Sequence, residues 1–299
     1  MQIIELDYHN IAQNNTPIAL CLGYFDAVHI GHKELIRHAK MSGLPVGVMS
    51  FDNPPRVVLH KQKDQISITS NADKAEYLEE LGVEYFYILH FDEEVANLTR
   101  YEFIDLVLKK LNPKIIFCGE DYRFGESGAG TVTYLKNYFD VNVVPFLTYE
   151  GEKVASKNII NLIRNKEIIK ANLLLGRYHR VCGLVKHGYG NGTKFGFPTA
   201  NVQLDYPYVT PREGVFMGYA IYDDQKYPAI MSIGTHPTVL QLEKAIIEIH
   251  IIDFNQNIYG KYIFFEFVDF MRDNIKFDNT DDLIAQLKKD RIKAKKALQ

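Results

Sequence analysis

The chain has 299 residues, of which 46% are hydrophobic and 24% charged, and its formal net charge is −3. This length exceeds that of one ordinary domain, so we predict two domains. The lack of a basic excess argues against a nucleic-acid-binding protein, and no apolar run approaches the roughly 20 residues of a membrane-spanning helix, which argues against a membrane partner.

The first half of the chain alternates strand-like and helix-like segments. Apolar runs predict strands at residues 18–22, 46–51, 85–89, 114–118 and 141–146. Helical spacing predicts helices after His32, at 71–81 with Asn71 as the cap, and from about 101 to 111 with Thr99 as the cap. This rhythm predicts a parallel, Rossmann-like sheet covered by helices, in which ligands bind beyond the carboxyl ends of the strands.

Two of these strand ends carry polar segments that contain glycine. The first, at residues 23–32, places His29 and His32 between a strand and the next helix. Free backbone N–H groups and the positive end of the helix dipole suit a phosphate there, and two imidazoles add hydrogen-bond donors for charge that develops during phosphate transfer. We therefore predict a phosphate-binding turn. The second segment, at residues 119–125, reads G-E-D-Y-R-F-G.

After about residue 180 the pattern changes to period-two alternation. It predicts strands over 181–186, 215–222, 227–233, 245–254 and 262–270, and antiparallel strands at this spacing suggest a small β-barrel. The chain is predicted to end in a helix from about Asp281, with the charge run 288–296 as its solvated face. A helical stretch at 158–175 would join the halves, so we predict domains at 1–157 and 180–299 and a linker at 158–179.

Residues 186–201 are rich in glycine and end in P-T-A-N. Gly188, Gly190 and Gly192 permit backbone conformations in which N–H groups approach a phosphate closely, although tight barrel turns have the same composition. Thr199 and Asn201 lie two residues apart on extended chain. Because Mg²⁺ prefers oxygen ligands and bridges substrate phosphates, these two side chains can share one ion.

Glu248, in the predicted strand 245–254, is the candidate general base. On a strand it shares a face with Ile246, His250 and Ile252, and a carboxylate amid apolar surface is costly unless it is used or paired. It could accept the proton of a hydroxyl group that attacks phosphorus. The alternative is a charge that simply points outward from a barrel strand, and the sequence favours neither.

Cysteine usage indicates a reducing compartment. Cys21, Cys118 and Cys182 lie far apart, each in an apolar run, and no C-x-x-C pair occurs, so neither a zinc site nor a disulfide framework is predicted. Buried free thiols suit a reducing environment, and residues 1–7 lack the pattern of a signal peptide. We therefore expect a cytoplasmic protein.

These segments together resemble one known family along nearly the whole chain. The run G-Y-F-D-A-V-H-I-G-H at 23–32 is similar to the signature G-x-F-D-G-x-H-x-G-H of nucleotidyltransferases that make FAD from FMN and ATP, with Ala27 where the family usually has glycine. The P-T-A-N run, E-I-H at Glu248, the later D-F and Y-G pairs and G-T-H-P-T at 234–238 resemble the riboflavin kinase module. The chain is thus similar to the bacterial bifunctional riboflavin kinase/FAD synthetases.

The resemblance implies a fold, two reactions and their ligands. The fold would be an α/β nucleotidyltransferase domain followed by an antiparallel β-barrel with a terminal helix. The reactions would be the ATP-dependent phosphorylation of riboflavin to FMN and the adenylylation of FMN to FAD. Riboflavin, FMN, FAD, ATP and ADP would be the partners, with Mg²⁺ as cofactor.

The resemblance also implies roles for individual residues. In adenylyl transfer, His29 and His32 would contact ATP phosphates. The nucleotide and flavin would be bound by Gly23, Phe25, Asp121, Arg123 and Ser156. In the kinase, Thr199 and Asn201 would hold Mg²⁺ and the nucleotide phosphates, with glycines 188, 190 and 192 nearby. Glu248 would activate the ribityl 5′-hydroxyl, and Arg272 would lie near the flavin.

Two segments depart from the family pattern. The family's phosphate-binding S-S-T-x-x-R motif aligns with residues 155–160, where Ser156 is kept, Lys157 replaces threonine and Ile160 replaces arginine. Residues 51–56 also lack a histidine often found between the prolines. Since losing a cation at the transition state can cost on the order of a hundredfold in rate, a riboflavin kinase with an inactive first domain is one alternative. A non-catalytic flavin sensor is another, which the intact kinase residues disfavour.

Overall fold

The computed structural model describes residues 1–60, 66–187, 192, 195–234 and 246–299. By its internal contacts the chain divides into two compact units, Met1–Ser156 and Lys157–Gln299. Among the helices of the described residues, none combines the length and the apolar character that crossing a membrane requires.

The N-terminal unit contains short helices and both long and short strands. Its helices are α1 (Ile30–Lys40), α2 (Pro55–His60), α3 (Asn71–Glu80), α4 (Glu93–Asn97), α5 (Arg100–Glu102) and α6 (Val132–Leu135). Its strands are β1 (Gln2–Leu6), β2 (Ile18–Leu22), β3 (Val46–Phe51), β4 (Tyr85–Leu89), β5 (Pro113–Gly119), β6 (Arg123–Phe124), β7 (Gly130–Thr131), β8 (Val141–Val144), β9 (Thr148–Tyr149) and β10 (Glu152–Lys153). Helix α5 continues through a π turn, Phe103–Leu108, and a 3₁₀ turn, Lys109–Leu111.

The predicted parallel sheet is confirmed. Six strands pair in the order β1-β4-β3-β2-β5-β8, all parallel. Alternate residues of β2 enter two separate apolar cores, one with Leu20 and Leu22 and the other with Ala19 and Cys21. Both faces of the sheet are therefore covered, which is why its central strands consist of unbroken apolar runs.

The sequence-based prediction missed strand β1. Only Leu6 of its five residues is buried, because β1 is an edge strand that pairs with β4 alone. The cap of α3 is also shifted by one residue: Ser70, and not Asn71, caps it through a reciprocal hydrogen-bond pair with Asp73. Thr99 caps α5 as predicted, through the same type of pair with Glu102.

The C-terminal unit begins with two helices and continues as a barrel. Its helices are α7 (Ser156–Arg164), α8 (Ile168–Leu175) and α9 (Thr280–Leu298), and its strands are β11 (His179–Lys186), β12 (Ala200–Leu204), β13 (Gly214–Tyr222), β14 (Gln225–Gly234), β15 (Ile246–Ile251) and β16 (Tyr262–Arg272). Helix α7 starts at Ser156, the last residue of the first unit. The helical stretch predicted at 158–175 consists of two helices: the first ends at Arg164, and Lys166 adopts a left-handed backbone conformation with φ 66°.

The predicted antiparallel barrel is also confirmed. The strands close in the order β11-β12-β15-β14-β13-β16, around an apolar core that includes Phe216, Met231, Ile249 and Phe265. Strand β12 was not predicted, because it has five residues and only one of them is buried, so it lacks a clear apolar pattern. Helix α9 packs Ala294 and Leu298 beside barrel residues.

Candidate active sites

The turn between β2 and α1 brings the two predicted histidines into contact. His29 is buried and caps α1, with its Nδ1 accepting a hydrogen bond from the backbone N–H of His32 at 3.3 Å. The two imidazole rings stack with their centroids 3.7 Å apart, and the ring of Phe25 lies 4.8 Å from that of His32. A Cβ on Gly23 would lie 3.1 Å from the Phe25 ring, so this glycine permits the close packing.

The same turn is conformationally strained. Phe25, Ala27 and Val28 all have left-handed backbones, with φ of 54°, 76° and 43°, a region that residues other than glycine rarely occupy. The glycine that the resemblance predicts at position 27 is explained by this conformation. Such strain persists only where surrounding contacts hold the backbone in place.

Polar side chains buried beneath the turn provide these contacts; we call Asp26, Ser50, Thr69 and Lys74 the buried polar cluster. Asp26 accepts hydrogen bonds from the backbone N–H groups of Ile68 at 3.0 Å and Thr69 at 3.3 Å, and the Thr69 hydroxyl accepts one from Ala27 N–H at 3.0 Å. Burial raises the pKa of Asp26, although the Lys74 charge and the two N–H groups oppose this shift.

Lys74 lies on the other side of this cluster. Its Nζ is 3.9 Å from the centroid of the Tyr24 ring and 3.4 Å from Ser50 Oγ, and Ser50 Oγ donates to the Tyr24 carbonyl at 2.6 Å. Burial lowers the pKa of Lys74 to about 8, although Asp26 and Asp52 oppose this shift. Sequence reasoning missed Lys74, but its spacing from the buried Tyr77 and Leu78 on α3 was the available signal.

A cavity of about 210 Å³, the N-terminal pocket, opens at this turn. It is lined by Tyr24, Phe25, Asp26, His32, Pro54, Pro55, Arg56 and Ser156. Three predicted site residues, Phe25, His32 and Ser156, therefore meet in one cavity, and Ser156 Oγ donates to the Asp26 carbonyl at 2.8 Å. The prolines and Arg56 come from the segment that departs from the family pattern, and Arg56 was not predicted.

The second predicted segment of this unit does not line that pocket. Asp121 and Arg123 are exposed, and Asp121 accepts a hydrogen bond from Lys153 Nζ at 2.5 Å. Between them, the Tyr122 hydroxyl is buried without a hydrogen-bond partner among the described residues, and burial raises its pKa. Ile160, which stands in place of the family's arginine, is buried in α7.

In the barrel, two predicted site residues are direct neighbours on adjacent strands. Asn201 of β12 is paired in register with Glu248 of β15, and Glu248 is paired on its other side with Ser232 of β14. Residues paired in this way have Cβ atoms about 5 Å apart. Ser232 was not predicted.

The surroundings of Glu248 differ from the predicted apolar face. Its neighbours Ile247 and Ile249 are buried in the barrel core, whereas Glu248 and His250 are only partly buried. Glu248 thus points away from the core, on the same face of the sheet as its neighbours Asn201 and Ser232. His250 uses its Nδ1–H to donate to the Pro198 carbonyl at 2.8 Å, and burial lowers its pKa.

Thr199 lines a larger cavity of about 370 Å³, the barrel pocket. It is lined by Val185, Pro198, Thr199, Ala200, Ile249, Ile251, Phe254, Asn255, Gln256, Asn257, Ile258 and Tyr259. Gly192 approaches this site closely, since a Cβ there would lie 2.3 Å from the Phe197 carbonyl oxygen and 3.2 Å from Thr199 Oγ1. Gly188, Gly190 and all of the G-T-H-P-T run except Gly234 lie outside the described residues.

The donor set of this region suits Mg²⁺. Thr199 and Asn201 offer hydroxyl and amide oxygens at alternate positions, and Glu248 adds a carboxylate beside Asn201. Within the described ranges, no group of three or more His, Cys, Asp or Glu side chains forms a metal cluster. Mg²⁺ prefers oxygen donors of these kinds and is usually bound together with substrate phosphates.

Arg272, predicted to lie near the flavin, pairs with a carboxylate of the terminal helix. Its Nη2 lies 2.7 Å from Asp290 Oδ2 on α9, its Nε also donates to this carboxylate, at 3.0 Å, and Asp290 is buried. The charge run of α9 is likewise not wholly solvated, since Arg291 and Lys295 pair with Asp253.

Two family models match the chain. The model for FAD synthetase matches residues 11–158, and the model for riboflavin kinase matches residues 175–298. Together they cover both units.

Several bacterial relatives match over nearly their full length, and all are named bifunctional riboflavin kinase/FMN adenylyltransferase. That of Listeria monocytogenes is 35% identical over 91% of this chain and 89% of its own. That of Bacillus subtilis is 34% identical over 96% and 94%, and that of Escherichia coli K12 is 31% identical over 96% and 95%.

One solved structure shares the whole fold. It covers 98% of both chains with a TM-score of 0.92 and 35% identity, and its title is "Crystal Structure of Macrolide-efflux Protein from Streptococcus pneumoniae". The efflux named in that title has no counterpart in the family models that match this chain.

Proposed function

Because this chain belongs to the family of bifunctional riboflavin kinases/FMN adenylyltransferases, we propose that its two units divide two successive reactions between them. The protein phosphorylates riboflavin with ATP to give FMN and ADP, and it adenylylates FMN with a second ATP to give FAD. In the proposed division, residues 1–157 adenylylate, residues 180–299 phosphorylate, and 158–179 link the two.

For phosphorylation, we assign the general base to Glu248. Its carboxylate takes the proton of the riboflavin 5′-hydroxyl as that oxygen attacks the γ-phosphorus of ATP and the bond to the β-phosphate oxygen breaks. The observation that supports this assignment is the pairing of Glu248 with Asn201, a residue that would hold the nucleotide.

Thr199 and Asn201 would hold Mg²⁺ in this reaction. Bound there, the ion would neutralise charge on the ATP phosphates. Gly192, packed against Thr199, would let the backbone approach the same phosphates, as would Gly188 and Gly190. Arg272 is the last residue of β16 and would lie near the flavin. Its guanidinium is held in place by Asp290.

For adenylyl transfer, the N-terminal pocket would hold ATP. A phosphate oxygen of FMN attacks the α-phosphorus, and the bond to the β-phosphate breaks to release pyrophosphate. Little covalent work is asked of the protein, so positioning and charge stabilisation dominate. At the N-terminus of α1, His29 and His32 would contact the ATP phosphates. Gly23, Phe25 and Ser156 would surround the nucleotide. Asp121 and Arg123 would lie towards the flavin.

We also propose that both reactions take place in the cytoplasm. This location fits three cysteines that are all buried as free thiols, because such thiols persist in a reducing compartment.

The test is product analysis by chromatography. Purified protein is incubated with ATP and Mg²⁺ and either riboflavin or FMN, and a parallel sample contains EDTA. We expect FMN to appear before FAD from riboflavin, FAD with pyrophosphate from FMN, and neither product with EDTA. FMN that accumulates without FAD, even at high enzyme concentration, would contradict the proposed role of the first unit.

A further inference from the structure

Resting on the proposed function, one further residue can be assigned to the N-terminal pocket: we propose that Arg56 binds the phosphates of ATP and of the pyrophosphate leaving group. Arg56 lies near the start of α2 and is half-buried. It lines the same cavity as His32 and Ser156.

The charges around this pocket favour an anionic ligand at Arg56. Among the eight lining residues, Arg56 is the only lysine or arginine and Asp26 the only carboxylate. The Asp26 carboxylate is buried, and it already accepts hydrogen bonds from Ile68 and Thr69. Lys74 is buried against Tyr24 and does not line the cavity, so Arg56 is the permanent cation on the wall.

The hydrogen bonding of Arg56 leaves most of its fork available. Nη2 donates to the Ile66 carbonyl, which anchors one end of the guanidinium. Among the described residues, no hydrogen bond of Nε or Nη1 is found. A guanidinium has five N–H donors in a fixed plane, so an anchored fork with remaining donors is prepared for bidentate binding of phosphate.

The reaction needs such a charge. The phosphate of FMN and the triphosphate of ATP bring several negative charges together, and pyrophosphate gains charge as it leaves. A cation fixed before the reaction stabilises this charge without reorganising. In this chain, Ile160 is buried and offers no cation, whereas Arg56 is at the cavity wall.

The experiment compares Arg56→Ala, Arg56→Gln and Arg56→Lys with Arg37→Ala, a control that removes an exposed arginine of α1 paired with Glu34. We expect FAD formation from FMN to fall about 100-fold in Arg56→Ala and Arg56→Gln and less in Arg56→Lys, which keeps the charge but loses the fork. Riboflavin phosphorylation, measured in the same samples, should be unchanged in every variant.

Arg56→Gln removes the charge and keeps an uncharged N–H donor, which lies two bonds nearer the backbone than the Nη2 that donates to the Ile66 carbonyl. Wild-type FAD formation in Arg56→Gln, with a loss only in Arg56→Ala, would reduce Arg56 to a structural role and overturn the proposal.

Calorimetric titration with pyrophosphate provides a readout that does not need turnover. We expect weaker binding by Arg56→Gln than by wild type and Arg37→Ala, and equal binding by all three would also overturn the proposal. A wild-type protein that binds pyrophosphate through Arg56 but makes no FAD would contradict the proposed function alone.

Discussion

The two units place their polar residues differently around their sites. At the N-terminal pocket, the charged side chains Asp26 and Lys74 are buried beneath the strained turn. In the barrel, Asn201, Ser232 and Glu248 are only partly buried, on strands whose inward positions are apolar. The charged groups of the first site are thus part of the unit's interior, whereas Asn201, Ser232 and Glu248 lie on the outer face of the barrel strands.

This difference predicts how each site responds to substitution. Removing one member of a buried charged group leaves its partner unpaired in a low-dielectric interior, at a cost of several kcal/mol. Removing a side chain from the outside of a barrel strand leaves the core intact. Stability and activity should therefore be coupled in the first unit and separable in the second.

The largest expected effect tests this separation in the barrel. Glu248→Gln keeps the size of the side chain but removes the base, so riboflavin phosphorylation should fall by about 10²–10⁴-fold. Riboflavin binding, FAD formation from added FMN and the unfolding temperature should stay at wild-type values. The control is Glu266→Gln on β16, which loses a pair with Lys226. Unchanged phosphorylation in Glu248→Gln would show that the base is another residue.

A smaller effect tests the buried charge of the first unit. Burial lowers the pKa of Lys74 from 10.5 to about 8. Between these pH values the unfolded chain binds more protons at this site than the folded chain, so the contribution of Lys74 to the free energy of unfolding rises with pH. Relative to Lys74→Met, wild type should gain on the order of 1–2 kcal/mol between pH 7.5 and pH 9.5.

Urea unfolding of both proteins at the two pH values measures this gain. Lys114→Met, which changes an exposed lysine on β5, should show the same difference from wild type at both pH values. A wild-type advantage over Lys74→Met that does not change with pH would mean that Lys74 keeps an ordinary pKa.

The smallest expected effect concerns a buried polar group that lacks a partner. Tyr122→Phe removes a hydroxyl that has no hydrogen-bond partner among the described residues, so the protein should gain about 1 kcal/mol of stability. In the matched control Tyr134→Phe, the lost hydroxyl is 3.1 Å from that of Tyr138, and no gain is expected. Thermal unfolding of both variants measures the difference, and a loss of stability in Tyr122→Phe would show that its hydroxyl is satisfied.

The predictions that succeeded rest on local pattern. Strands β3 and β4 were predicted with the bounds that the structure has, because buried parallel strands are apolar runs between polar segments. The edge strand β1 and the short β12 were missed because neither is apolar enough to stand out. The break in the linker was missed because Lys166 adopts its left-handed φ without a glycine to signal it.

For the sites, the sequence alone determined groups that lie close along the chain. His29 and His32 are three residues apart at a helix start, and their rings stack in the structure. Thr199 and Asn201 alternate on one extended segment, and their sharing of one ion stays a prediction. The order of the strands and their register decided the rest. They join residues 24, 56 and 156 in one pocket, bury Lys74 under Tyr24 and pair Ser232 with Glu248. Such contacts depend on which strands become neighbours, and this is set by packing of the whole unit, which no local pattern encodes.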